Sequence, residues 1–351
     1  MESKIISGSK CLLELDKWLT GKKTMVVCGK SAAFFSDYMQ QFKKHEVVFF
    51  RDFEPNPKYE STIKGRDIFL SCKCDSILAI GGGSSIDVAK CIRLFSVLDN
   101  DYLRDNYVDP MIPFLVIPTT AGTGSEATRF AVVYKDGEKL SVNCLYSIPE
   151  VVLLDESLLK TLPDYQRKAT CLDALSHAIE SMWSVNSTEE SRTYSLKALE
   201  LFFKYKNEYL SNTETGNAKM LEASFYAGKA INISETTAGH AMCYKITTLK
   251  GIAHGHAAAL VNQYLFPYMI EHIGDCIDVR GKDYLKSILR KIYQITGNLS
   301  DLIDEMKLPS VLATDDEIDI MANSVNEGRL KNNPVKLGNE QIMYLYKCIF
   351  G

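Results

Sequence analysis

The stretch Ile80-Gly81-Gly82-Gly83-Ser84-Ser85-Ile86-Asp87-Val88-Ala89-Lys90 decides how this chain folds. Before it, residues 76–80 form a short apolar, β-rich run; after it, residues 85–98 carry the spacing of an amphipathic helix. Three glycines and two serines therefore stand at a strand-to-helix turn. Without Cβ atoms the backbone N–H groups can come close to a pyrophosphate, and the helix N-terminus adds the positive end of its dipole. The loop reads as a phosphate cradle or as a bare tight turn. It lacks the usual GxGxxG spacing and follows the third strand rather than the first.

The alternation continues on both sides. Residues 24–28, 47–50, 76–80, 114–117 and 151–154 are strand-like runs, separated by stretches such as 32–44 and 85–98 that are long enough for crossover helices. This pattern predicts an α/β domain around a mostly parallel wound sheet. Residues 131–134 and 139–143 flank Asp136-Gly137, which predicts a hairpin before the last strand. Beyond Pro163 the strand signals cease. Helices are expected over 163–183, 189–203, 217–234, 256–273 and 282–296, the first opened by a proline whose missing N–H would be unpaired in any case. A chain of 351 residues exceeds what one core usually serves, so an α/β domain over 1–160 and an all-α domain over 161–351 are expected.

The composition, 46% apolar and 24% charged, sets aside disordered and fibrous classes, and a net charge of -4 speaks against a nucleic-acid partner. Residues 1–10 hold no basic segment leading into an apolar stretch, and no uncharged apolar run is long enough to span a bilayer. A cytoplasmic protein with no membrane partner is expected. Ten cysteines without a repeated CxxC spacing read as reduced thiols.

A second loop, Pro118-Thr119-Thr120-Ala121-Gly122-Thr123-Gly124-Ser125-Glu126, leaves the fourth strand with four hydroxyls and two glycines. Ligands of open α/β sheets sit outside the carboxyl ends of the strands, where both loops should converge; taken alone, this one also reads as a solvated turn. Among six histidines, His177 lies four residues after Asp173 in a stretch with Leu172, Leu175, Ile179 and Met182 at helical spacing. The carboxylate and imidazole share a helix face, which suits one cation and equally suits a capping or ion pair. His240 and His254 lie near Gly239, Gly251 and Gly255, which read as interruptions between helices. Three imidazoles and a carboxylate suit Fe²⁺ or Zn²⁺, with no thiolate to separate the two. His45 and His272 have no such company.

Taken in order, the loop over 81–87, the loop over 119–126, Asp173-Ala-Leu-Ser-His177, and His240 followed by His254-Gly255 resemble the iron-containing (group III) alcohol dehydrogenases. Asn56-Pro57 and Arg329-Leu-Lys-Asn-Asn-Pro334 extend the likeness through nearly the whole chain. The resemblance implies a dinucleotide-binding domain followed by a helical catalytic domain. It implies Asp173, His177, His240 and His254 as ligands of Fe²⁺ or Zn²⁺. Gly82, Gly83 and Ser84, with Asp87 behind them, would serve the cofactor pyrophosphate; Thr119, Thr120 and Thr123 would line the rest of the cofactor cleft, and Lys139 would reach the ribose. Hydride transfer between a nicotinamide and a small aldehyde or alcohol follows, with His256 as candidate proton relay. A homodimer is plausible through the edge of the N-terminal sheet.

Two departures from the family pattern matter. Many relatives carry an aspartate after the first strand, where it disfavours a 2′-phosphate; here Gly29 and Lys30 stand there, which makes NADP(H) acceptable beside NAD(H). Many also carry a histidine four residues after the position of His240, where this chain has Tyr244 followed by Lys245. That run resembles the phosphonoacetaldehyde reductase branch, which implies a short anionic aldehyde reduced to 2-hydroxyethylphosphonate, with Lys245, or else Arg129, near the phosphonate. A general short-chain alcohol dehydrogenase, a lyase of the dehydroquinate synthase type and a non-haem iron oxygenase are the competing readings. The synthase pattern has a glutamate in place of Asp173, and the oxygenase leaves both loops unexplained.

Overall fold

Short runs buried on both faces become the inner strands of the first unit's sheet, as expected of a parallel sheet covered by helices. The computed structural model describes residues 3–29, 45–98, 102, 103 and 107–351, which fall into two compact units, Met1–Thr161 and Leu162–Gly351. The strands are β1 (Lys4–Ser7), β2 (Lys23–Cys28), β3 (Glu46–Phe50), β4 (Ser76–Gly81), β5 (Phe114–Pro118), β6 (Phe130–Lys135), β7 (Glu138–Asn143) and β8 (Val151–Leu154). Six of them pair in parallel in the order β1-β8-β5-β4-β2-β3, while β6 and β7 form a separate antiparallel hairpin. Asp136 and Gly137 turn that hairpin with φ of 54° and 82°, the left-handed pair that such a two-residue turn demands. Strand β1, with three of its four residues exposed at the sheet edge, offers no apolar pattern and was not expected.

Helix α1 (Tyr59–Ser71) and helix α2 (Gly83–Phe95) pack against each other, and α2 covers β4. Met25, Val27, Ile77, Ala79, Ile86, Ala89 and Val116 are fully buried in the resulting core. From β2 the chain moves outward to β3, and from β4 it moves the other way to β5, so the order reverses between β2 and β4. Register sets Cys28 opposite Ile80, which brings Gly29 alongside the Gly81 turn at this reversal. The helix expected over 32–44, and Lys30, lie outside the described residues.

The second unit contains helices α3 (Asp164–Trp183), α4 (Glu189–Leu210), α5 (Glu214–Ser234), α6 (Ala238–Lys250), α7 (His254–Glu271), α8 (Lys282–Thr296), α9 (Leu299–Glu305), α10 (Asp315–Asn323), α11 (Glu327–Leu330) and α12 (Asn339–Phe350). Helix α3 is buried from Cys171 to Ser184 and packs against α4, α5 and α7. Pro163 caps it from just outside its first turn. Two glycines have a different role from the one their sequence suggests. Gly239 lies inside the first turn of α6, where a Cβ would fall 2.1 Å from Asn262 Oδ1 and 2.4 Å from Glu180 Oε1. A Cβ on Gly255, in the first turn of α7, would fall 2.0 Å from the Ala169 carbonyl oxygen of α3. Both permit close approach of elements and neither breaks a helix. Gly251, at φ 65°, does end α6.

Candidate metal centre and dinucleotide loops

On the buried helix α3 a polar line runs Asp173, His177, Glu180, spaced so that all three share a face. Helix α6 brings His240 to this line and α7 opens with His254. Ligand atoms of Asp173, His240 and His254 all lie within 4.8 Å of one another, a spacing that can hold a metal ion. Asp173 Oδ1 and His240 Nε2 are 3.4 Å apart, both buried, and neither makes a hydrogen bond. Two buried polar atoms left without a partner fit a third body that bonds to both. His177 is beside them in another way: its ring stacks on that of His240 with centroids 4.4 Å apart at 13°. Thus three of the four expected ligands converge, and the fourth lies against one of them.

Glu180, which the sequence did not single out, sets the chemistry of His240. Its Oε1 accepts from His240 Nδ1 at 2.6 Å and from Asn262 Nδ2 at 3.0 Å, while its Oε2 accepts from the Thr237 amide at 2.7 Å and the Thr237 hydroxyl at 2.8 Å. Thr237 Oγ1 in turn accepts from Trp183 Nε1. A proton held on Nδ1 leaves the Nε2 lone pair for a cation. Burial would lower the His240 imidazole, but Glu180 and Asp173 outweigh it and push it up to about 9. Burial likewise opposes the charge on Asp173, yet His177, His240 and His254 hold that carboxyl below the usual range. The pocket is built to hold positive charge between its carboxylates.

Of the residues expected at the substrate, Tyr244 stands against His254. The Tyr244 ring lies parallel to that of His254, centroids 5.4 Å apart at 6°, and its hydroxyl accepts from Arg329 Nη1 at 2.7 Å. Cys243 Sγ lies 3.6 Å from His254 Nδ1. Lys245 is half-buried on α6. His256, expected as a relay, is buried and bonds through Nδ1 to the Tyr165 hydroxyl at 3.1 Å, and that hydroxyl accepts from the Ala253 amide at 2.9 Å. With the amide as donor, the tyrosine has its own proton for Nδ1. Burial pushes His256 down to about 4, so it is neutral and ties the start of α7, where His254 sits, to α3.

In the first unit the two loops press on each other. A Cβ on Gly82 would lie 3.2 Å from Thr120 Oγ1, and one on Gly83 would lie 2.9 Å from Thr123 Cγ2, so a side chain at Gly83 would force Thr123 to shift and one at Gly82 would crowd Thr120. The Thr119 amide also bonds to the Gly81 carbonyl. Ser84 falls in the first turn of α2, whose N-terminal amides face out of the strand end. Asp87 directs both oxygens at the chain, Oδ1 accepting from Ser125 Oγ at 2.7 Å and Oδ2 from the Val132 amide at 3.0 Å, and so it braces the second loop. Lys139 on β7 is near enough for its charge to act on the Asp87 carboxyl. Arg129 bonds to Asn143 Oδ1 and stacks over Phe130 at the base of the hairpin. Burial raises the Cys28 thiol, and Arg51, not foreseen and just after β3, lies near enough to oppose that rise.

A wound parallel sheet with glycine loops at its reversal, and a helical unit with a buried carboxylate and imidazole cluster, define a metal-binding, dinucleotide-dependent enzyme. Residues 2–156 match the iron-containing alcohol dehydrogenase family and residues 168–350 match its Fe-containing C-terminal family. The chain belongs to the iron-containing alcohol dehydrogenases, and is an NAD(P)-dependent oxidoreductase of alcohols and aldehydes. It is 27% identical to an NADPH-dependent butanol dehydrogenase of Clostridium saccharobutylicum, over 96% of this chain and 94% of that one. It is 27% identical to a 1,3-propanediol dehydrogenase of Klebsiella pneumoniae, over 98% and 94%. A sulfoacetaldehyde reductase of Bifidobacterium kashiwanohense, solved with NAD⁺, superposes with a TM-score of 0.87 at 25% identity, covering 99% of this chain and 96% of that one. Among the described residues no helix is long and apolar enough to cross a membrane.

Proposed function

We propose that this enzyme reduces a short anionic aldehyde, such as phosphonoacetaldehyde, to its alcohol, 2-hydroxyethylphosphonate, with NADPH preferred over NADH. In this reading Asp173, His240 and His254 hold Fe²⁺ or Zn²⁺, with His177 as the fourth ligand. When bound, the metal supplies Lewis acidity to the aldehyde oxygen and the reduced nicotinamide supplies hydride. The chain's own residues do the rest. Glu180 keeps the His240 proton on Nδ1. Gly82, Gly83 and Ser84 offer amides to the pyrophosphate, with Thr119, Thr120 and Thr123 beside them. Gly29 leaves no carboxylate against a 2′-phosphate, and Arg51 at the end of the neighbouring strand adds a cation there.

One observation carries the choice of substrate: Lys245 has no ion-pair partner among the described residues, and it follows Tyr244, which stacks on His254. A half-buried ammonium with no counter-charge is stabilised by an anionic ligand. The likeness to a sulfoacetaldehyde reductase, whose named substrate is a two-carbon aldehyde bearing a sulfonate, supports the same reading. A single kinetic comparison tests it, using phosphonoacetaldehyde and propanal with each of NADPH and NADH, for wild type and Lys245→Ala. Expected are higher kcat/KM for the phosphonate aldehyde, a preference reduced in Lys245→Ala, and higher kcat/KM with NADPH. Equal use of both aldehydes, unchanged in the variant, would return the enzyme to a general short-chain alcohol dehydrogenase; better use of NADH would remove the NADPH preference.

A further inference from the structure

Two arginines of the second unit are held by several hydrogen bonds each. Arg280 grips Asp278 with Nη2 at 2.6 Å, and Arg167 donates to Asn217 Oδ1 at 2.6 Å and to the Tyr209 carbonyl at 3.0 Å. Arg329 is treated differently. It is half-buried, and among the described residues its hydrogen bond goes to the Tyr244 hydroxyl and it pairs with no carboxylate. Its guanidinium carbon lies over the Tyr244 ring at 4.9 Å. A guanidinium carries five N–H donors in a planar fork, so most of this one's hydrogen-bonding capacity is unmet within the chain. The face of the tyrosine offsets part of the cost of burying the charge, without neutralising it.

The position of this cation is fixed at both ends. Its helix, α11, is a single turn started by Asn326, whose Oδ1 accepts from the Gly328 amide at 2.8 Å. Just beyond, Asn332 Nδ2 donates to Glu235 Oε2 and to the Thr236 carbonyl, each at 3.2 Å, tying the segment to the link that leads into α6. The Val185 amide bonds to the Asn332 carbonyl as well. From this anchored segment Arg329 reaches Tyr244, and Tyr244 lies flat on His254. With 4.9 Å from Cζ to the Tyr244 ring centre and 5.4 Å from there to the His254 ring centre, the guanidinium lies within about 10 Å of the His254 ring. That is a span a small molecule bridges when one end is an aldehyde and the other an oxyanion.

We propose that Arg329, held in place by Tyr244, is the residue that recognises the anionic group of the substrate. The proposal rests on the anionic-aldehyde reading above and adds its principal contact. Arginine suits the task better than the neighbouring Lys245. Its fork donates to two oxygens of a phosphonate or sulfonate at once, and its position is set by a stacked ring, whereas Lys245 presents a point charge on a flexible stem. In place of a second histidine, Tyr244 serves the reaction as a positioning residue: one face packs by the metal cluster and its hydroxyl holds the anion receptor.

The test uses the full-length, metal-loaded enzyme as wild type, Arg329→Gln, Arg329→Lys and Tyr244→Phe. The readouts are kcat and KM for phosphonoacetaldehyde and for propanal, calorimetric binding of 2-hydroxyethylphosphonate, and metal content. For Arg329→Gln, kcat/KM for phosphonoacetaldehyde should fall about 100-fold, mostly through KM, with a far smaller fall for propanal. Binding of 2-hydroxyethylphosphonate should weaken in parallel while metal content holds. Arg329→Lys should recover part of the loss, and Tyr244→Phe should weaken the anion binding. Equal losses on both aldehydes, or loss of metal from Arg329→Gln, would show a scaffold role and overturn the inference. A wild-type preference for the phosphonate aldehyde that survives Arg329→Gln overturns the inference alone. A wild type with no such preference overturns the anionic-aldehyde reading and this inference together.

Discussion

A carboxylate that is not itself in the ligand set governs how well the cluster can bind a cation. Glu180 receives five hydrogen bonds from His240, Asn262 and Thr237, so each oxygen has a defined role. Replacing it by glutamine converts one acceptor into a donor, which must then face either the Thr237 amide or the His240 Nδ1–H. Metal affinity of Glu180→Gln should fall about 10- to 100-fold in a competition titration against a chelator, and an unchanged affinity would remove this role for Glu180. The Asp173 and His177 pair could be read in the sequence because four residues on a helix is a local spacing. Glu180 could not, because its partners arrive from α6 and α7 and no local pattern ties them to it. The same spacing placed His177 on the right face without revealing its rotamer, and its ring lies flat against His240.

Elements with an unbroken apolar run or a regular apolar stripe were the readable ones. The runs that became β2, β4, β5 and β8 have little but apolar residues, and α8 begins and ends where its pattern does. Helix α6 was missed because Gly239 looks like a break, whereas its missing side chain makes room for Asn262 and Glu180. The second loop is set by a buried charge cluster that no motif announces. Lys90 Nζ donates to the carbonyls of Ser125, Thr128 and Phe130, and buried Glu126 lies near enough to feel its charge. Burial pushes Glu126 up to about 7, against its own backbone N–H and Lys90, from an ordinary value of 4.5. A carboxyl with a raised folded pKa lends stability that is fully present below about pH 4.5 and lost as the pH rises to about 7, a change of about 3 kcal/mol. Thermal unfolding of Glu126→Gln and wild type across this range should therefore show the variant gaining on wild type as the pH rises. A constant difference between the two would mean that Glu126 does not titrate in this window.

At the scale of the whole chain, order along the sequence was the informative signal. Each motif alone had an ordinary structural explanation; two glycine loops followed in turn by Asp173, His240 and His254 identify one family, and the family matches span both units. The substrate proposed for this chain rests on Tyr244, Lys245 and Arg329, whose meaning depends on contacts between α6, α7 and α11. In the proposed reading the cluster on α3, α6 and α7 binds the metal on which nicotinamide-linked reduction depends. The most direct measurement follows reduced nicotinamide absorbance after removal of metal by a chelator and after addition of Fe²⁺ or Zn²⁺, for wild type and Asp173→Asn, with metal content determined in parallel. Wild-type activity should disappear with the metal and return with it, and Asp173→Asn should neither retain metal nor recover. Full activity in metal-free protein, or an Asp173→Asn enzyme that binds metal and turns over as wild type does, would contradict that reading.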